Sequence, residues 1–140
     1  MKKLLILFLF AGIAFSTTSC KKKECPKPEV WAPGTWNATK FFYQGQEQDA
    51  SDPQIACYIS DVIEFNEDGT GHWEFHTYDS NSSTCNNTTY QIQSWAENLK
   101  NKTLFIDIDV AQLKFEYSDK THMKWAYSTQ SGNYMEFEKQ

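Results

Sequence analysis

Four runs in the second half of the chain alternate between apolar and polar residues with a period of two. Leu104, Ile106, Ile108 and Val110 alternate with Phe105, Asp107 and Asp109. Leu113, Phe115 and Tyr117 alternate with Lys114 and Glu116, and Met123, Trp125 and Tyr127 alternate with Lys124 and Ala126. Met135 and Phe137 alternate with Tyr134, Glu136 and Glu138. Successive side chains of a strand point to opposite faces, so each run has one face for a core and one for water. Helical periodicity is nearly absent, and aromatic and β-branched residues are abundant.

The first half supports earlier strands at Thr35–Tyr43, Tyr58–Asn66, Gly71–Tyr78 and Thr89–Trp95. The clearest turn is Asn66-Glu67-Asp68-Gly69-Thr70-Gly71, whose Asn, Asp and Gly tolerate positive φ. Ser118–Thr121 and Ser128–Asn133 make two more connections; Asp79–Thr88 and Gln44–Pro53 read as exposed loops. Eight strands in sequential hairpins predict an all-β, antiparallel up-and-down barrel, closed so that no edge is left bare. The alternative is an open β-sandwich.

The first residues concern location. Met1, Lys2 and Lys3 form a basic head, Leu4–Phe15 is an apolar run, and Ser16–Ser19 are small residues directly before Cys20. The run is too short for a bilayer, which needs about 20 residues, and has the length of a secretory signal. A small residue before Cys at the end of such a signal resembles a bacterial lipoprotein signal, although Thr17 stands where an apolar residue is usual. The resemblance implies a signal peptide at 1–19, lipid attachment at Cys20 through acyl chains such as palmitate, and a membrane anchor. The location implied is the cell envelope, at the outer membrane or its periplasmic side. Residues 20–29 carry charge and proline without apolar period and read as a tether, and 30–140 is the single domain.

From Val30 onward the chain holds seven lysines against sixteen Asp plus Glu, a formal charge of −9, and the whole chain has no arginine. That excludes a nucleic-acid partner, which needs a basic stripe. It leaves a neutral, cationic or apolar ligand. Cys57 and Cys85 flank the Asn66–Gly71 turn and can pair in an oxidising compartment, closing a loop whose constraint is worth roughly 3 kcal/mol.

Gly34-Thr35-Trp36 resembles the Gly-X-Trp opening of the lipocalin first strand. With Phe65-Asn66-Glu67-Asp68-Gly69-Thr70 and the closing Tyr134–Lys139 strand, the chain is similar to lipocalin-like lipoproteins of Bacteroidota over about residues 30–139. The resemblance implies a lipocalin-like barrel with Trp36 packed across one end. Classical lipocalins place a late Arg on that Trp; this chain has none, and Lys124 and Lys139 are the candidates to substitute for it through a weaker cation contact.

Few residues suggest chemistry. His72, Glu74 and His76 share one strand face, but Trp73 and Phe75 claim the core side, so these three read as a wet face and no metal site is expected. Asp61 falls in phase with Ile63 and Phe65 and, if buried, needs a donor. There is no Gly-X-Ser-X-Gly elbow, phosphate loop or Cys-X-X-Cys, so neither an enzyme nor a cofactor is expected. Twenty-two residues are Phe, Tyr or Trp. Most must fill the interior; Trp73, Phe75, Phe115 and Trp125 are the candidates for lining a pocket for a small apolar ligand. The other reading is a filled barrel whose loops bind a protein or glycan.

Overall fold

A computed structural model describes residues 28–140. The expected signal peptide, Cys20 and most of the tether lie outside the described residues. The elements are β1 (Gly34–Tyr43), β2 (Gln46–Glu47), α1 (Pro53–Tyr58), β3 (Val62–Phe65), β4 (Gly71–Asp79), β5 (Thr84–Asn98), β6 (Thr103–Ile108), β7 (Ala111–Tyr117), β8 (His122–Trp125) and β9 (Tyr134–Lys139). All pairings are antiparallel, and β1 pairs with both β3 and β9. The sheet therefore closes on itself as an eight-stranded up-and-down barrel, with the two-residue β2 appended to the end of β1. The closing β1–β9 ladder excludes the open sandwich.

The alternating runs deliver the interior. Leu104, Ile106 and Ile108 are buried while Phe105 between them is 38% exposed. Phe115, Tyr117, Met123, Met135 and Phe137 are buried from their own strands. Val110, read as the last inward residue of its run, is 74% exposed because the chain turns after Ile108. Core, closure and disulfide all lie within 28–140, which makes this segment a self-contained folding unit.

Three elements differ from the expected ones. Tyr58 ends a helix instead of opening a strand. Asp52 caps that helix by accepting from the Gln54 and Ile55 amides, and Pro53 occupies its first turn. The Gln44–Pro53 stretch holds β2 as well as loop. The expected loop Asp79–Thr88 is mostly sheet: β4 reaches Asp79 and β5 starts at Thr84, with only Ser80–Ser83 between them. Ser, Asn and Thr have no apolar pattern, yet backbone pairing with β4 is enough to extend the strand.

Cys57 and Cys85 are bridged, with Cα atoms 5.5 Å apart. The Asn66–Gly71 turn alone does not bring them together. Cys57 sits on α1 and Cys85 near the start of β5, so the bridge pins the helix to the far end of the β4–β5 hairpin. Replacing both cysteines with alanine is expected to remove roughly 3 kcal/mol. Thermal melting checks it, with a fall in Tm on the order of 10 °C; an unchanged Tm would show that the helix is held without the bridge.

Candidate functional site

The two ends of the barrel are finished differently. At the end where β1 begins, the segment before it folds across the opening. Ala32 is fully buried, and its carbonyl accepts from the Trp36 indole N–H at 2.8 Å. The Glu97 carboxylate accepts from the Trp31 amide at 3.0 Å, and also from the Ala32 amide and the Tyr117 hydroxyl. Burial and that carboxylate hold the Tyr117 hydroxyl protonated, far above its ordinary range. Lys139 donates to the Trp31 carbonyl at 2.8 Å, and its Nζ lies 5.7 Å from the Trp36 ring centre. Lys139 thus takes the cation position on Trp36, while Lys124 lies over Tyr134 instead. This end is sealed.

The opposite end holds an open cavity of about 290 Å³. Phe41 reaches it from β1, Tyr58 from the end of α1, Phe75 and Thr77 from β4, and Trp125, Tyr127 and Met135 from the β8–β9 side. A bulge in the β1–β9 ladder between Ala38 and Lys40 brings Phe41 here. In phase with Trp36 and Ala38, Lys40 and Phe42 would point inward; the extra residue reverses the phase and turns Phe41 in. Phe42 stacks outside on Tyr134, with ring centres 4.4 Å apart. Phe41 stacks between Tyr58 at 5.1 Å and Tyr127 at 4.9 Å.

Two of the four expected pocket residues, Phe75 and Trp125, line the cavity. Trp73 and Phe115 do not. They are 2% and 0% exposed and form the packed layer beneath it. The Trp73 ring lies 5.2 Å from Phe75, 4.9 Å from Trp125 and 6.0 Å from Phe115, each edge to face. An eight-stranded interior is just wide enough for side chains to fill, and here Trp73 and Phe115 fill it below the mouth. Phe41, Tyr58 and Tyr127 were not among the expected pocket residues. Tyr127 was legible in the alternation; Phe41 was hidden by the bulge and Tyr58 by the helix.

Among the described residues, no charged side chain lines the cavity. The Tyr127 hydroxyl donates to the Phe42 carbonyl at 3.0 Å, and the Tyr58 oxygen accepts from Gln54 at 2.9 Å. Two larger hollows, of about 730 and 560 Å³, are clefts on the barrel side bordered by Lys114 and Glu116; most of their lining is polar and they carry no candidate site.

Asp61 lies at the junction of α1 and β3 and is fully buried, as its phase with Ile63 suggested. It has the donors such burial requires. Oδ2 accepts from the Trp73 indole N–H at 3.1 Å, and Oδ1 accepts from the His76 amide at 2.6 Å. The last residue pair joining β3 to β4 is Val62 with Glu74, so the carboxylate continues the ladder where the strand has run out. His76 is therefore drawn partly in, with Nδ1 3.3 Å from Asp61, while His72 and Glu74 stay at the surface. Among the described residues, no group of three His, Cys, Asp or Glu is placed to hold a metal.

Burial pushes the Asp61 carboxyl up to about 6, against the pull of its hydrogen bonds and of His76. The folded state thus holds this proton more tightly than the unfolded chain. The contribution is fully present below the unfolded value near 4 and is lost as pH rises through about 6. Stability is expected to fall by on the order of 2 kcal/mol between pH 4.5 and 7.5 through this group. Urea unfolding at a series of pH values tests it: Asp61→Asn should flatten that segment, and an unchanged slope would assign it elsewhere.

No protein-family model, curated protein or solved structure matches the chain.

Proposed function

We propose that this protein is a lipid-anchored lipoprotein of the bacterial envelope whose lipocalin-like barrel binds a small apolar ligand without catalysis. The observation that carries the binding reading is the open aromatic cavity at one barrel end, opposite an end sealed by the chain's own segment. An apolar, concave, largely preformed mouth is the usual form of a small-molecule site. Anchoring rests on the sequence, in which an apolar run and small residues lead to Cys20. Acyl chains contribute about 0.8 kcal/mol per buried CH2, enough with two or more chains for a durable attachment.

Native mass spectrometry of residues 28–140, purified from a bacterial periplasm, tests the binding reading. A reproducible bound molecule is expected, lost in Trp125→Ala while the circular dichroism of the fold survives. An apo mass that no neutral apolar compound shifts would overturn it. Anchoring is tested separately: labelled palmitate should enter the full chain and should not enter Cys20→Ala.

The interaction-module reading has one observation in its favour. Residues Thr84–Gln91 pair with β4 on one side only, because β6 joins β5 from Ile92 onward. That exposed strand edge can accept an added strand from a partner. Capture of an extended peptide by the apo barrel, lost on Thr89→Pro, which removes an N–H that points away from β4, would favour this reading.

A further inference from the structure

The aromatic cavity at the open end has walls that select one class of small molecule, a selectivity that rests on its being a ligand site. Five of the residues around it, Phe41, Tyr58, Phe75, Trp125 and Tyr127, are aromatic. Aromatic faces carry negative potential and attract cations, most strongly where water is partly excluded. Any hydrocarbon can occupy such a cavity, but three features favour positive charge.

The first is the buried Asp61 carboxylate. It accepts from the Trp73 indole, and the Trp73 ring touches both Phe75 and Trp125, so above about pH 6 a negative charge, shared with His76 at 3.3 Å, stands one ring behind the cavity wall. The second is the surrounding field: the domain carries −9 with no arginine. A low-dielectric mouth in an acidic domain focuses that field and concentrates cations there. The third is that, among the described residues, no lysine lines the cavity to compete for it. Lys40, in β1 next to Phe41, points outward and pairs with Glu47 at 3.2 Å.

The kind of cation follows from the missing acceptors. A primary ammonium or guanidinium entering the cavity must replace its water with hydrogen-bond acceptors. The oxygen acceptors among the lining side chains are three hydroxyls, of Tyr58, Thr77 and Tyr127, and that of Tyr58 already accepts from Gln54; with no carboxylate among them they are too few to replace the water around an N–H cation. A fully alkylated nitrogen has no N–H to satisfy. We propose that the cavity binds a quaternary ammonium group of trimethylammonium size, either on a free solute or on a lipid headgroup.

Isothermal titration calorimetry of residues 28–140 with choline and with its neutral carbon isostere, 3,3-dimethylbutan-1-ol, separates charge from shape. Choline is expected to bind at least tenfold more tightly. Phe75→Leu and Trp125→Leu, checked for folding by circular dichroism, should each weaken choline several-fold while keeping an apolar wall. The comparison of isosteres is made on the unaltered domain and does not depend on either variant folding. Co-sedimentation with phosphatidylcholine vesicles, competed by free choline, would assign the group to a lipid headgroup. Choline binding without co-sedimentation would assign it to a free solute. Equal affinities for choline and the isostere overturn the cation proposal. So does a silent choline titration when the neutral fluorophore N-phenyl-1-naphthylamine binds, an outcome that leaves the apolar-ligand reading standing. If neither choline nor the fluorophore binds, both readings fall.

Discussion

Trp73→Ala is expected to cost the barrel about 4–5 kcal/mol, a large share of the roughly 5–15 kcal/mol that holds a domain of this size. Two losses combine. The indole is 2% exposed and joins Phe75, Phe115 and Trp125, so its removal leaves a void that eight hydrogen-bonded strands cannot collapse to fill. The Asp61 carboxylate also loses the indole N–H and remains buried on the His76 amide. Trp73→Phe separates the terms. It keeps most of the volume, leaves a smaller void, loses the hydrogen bond, and should cost about 1–3 kcal/mol. It should also raise the Asp61 carboxyl further, moving the pH-dependent fall in stability to higher pH. Urea midpoints of both variants check this, and a cost below about 2 kcal/mol for Trp73→Ala would mean the interior is not packed around that ring.

Gly71→Ala is expected to cost about 2–4 kcal/mol, although it adds one methyl group. A Cβ at Gly71 would lie 2.1 Å from the Glu64 carbonyl oxygen, and the backbone of the β3–β4 hairpin must shift to admit it. Gly69, in the turn itself, has φ near +92° and open space around it. Gly69→Ala should cost only about 1 kcal/mol, the ordinary penalty of the left-handed region. A pattern-based reading ranks these two glycines the other way, because the turn glycine carries the visible motif. Thermal melts of the two variants decide it; if Gly69→Ala is the more damaging, β3 does not approach Gly71 this closely.

The second half of the chain was legible because each strand there is short, amphipathic and in constant phase, as in Leu104-Phe105-Ile106 and Met123-Lys124-Trp125. Barrel closure followed from strand count and sequential hairpins. The first half was harder because its strands break phase or lack pattern. The bulge after Ala38 exchanged Lys40 for Phe41 on the inside, a change no alternation announces. Thr84–Thr88 became strand through backbone pairing with β4. The six residues of α1 are too few to show a helical period, although Asp52-Pro53 is a recognisable start. Part of the cavity wall comes from these segments, so Phe75 and Trp125 were legible as pocket residues and Phe41 and Tyr58 were not. Asp61 was legible as an inward carboxylate, but its His76 partner was not, because that bond runs to a backbone amide.

The β1–β9 pairing brings the two ends of the barrel segment side by side. The Gln140 amide bonds to the Thr35 carbonyl, next to the segment that seals the floor. A short glycine-serine linker can therefore join residue 140 back to residue 28 without crossing the barrel. New ends can then be opened in the exposed turn at Ser80–Ser83, where few contacts are cut. Such a circular permutant would keep every closing ladder of the barrel, and its new ends would emerge at the β4–β5 hairpin tip.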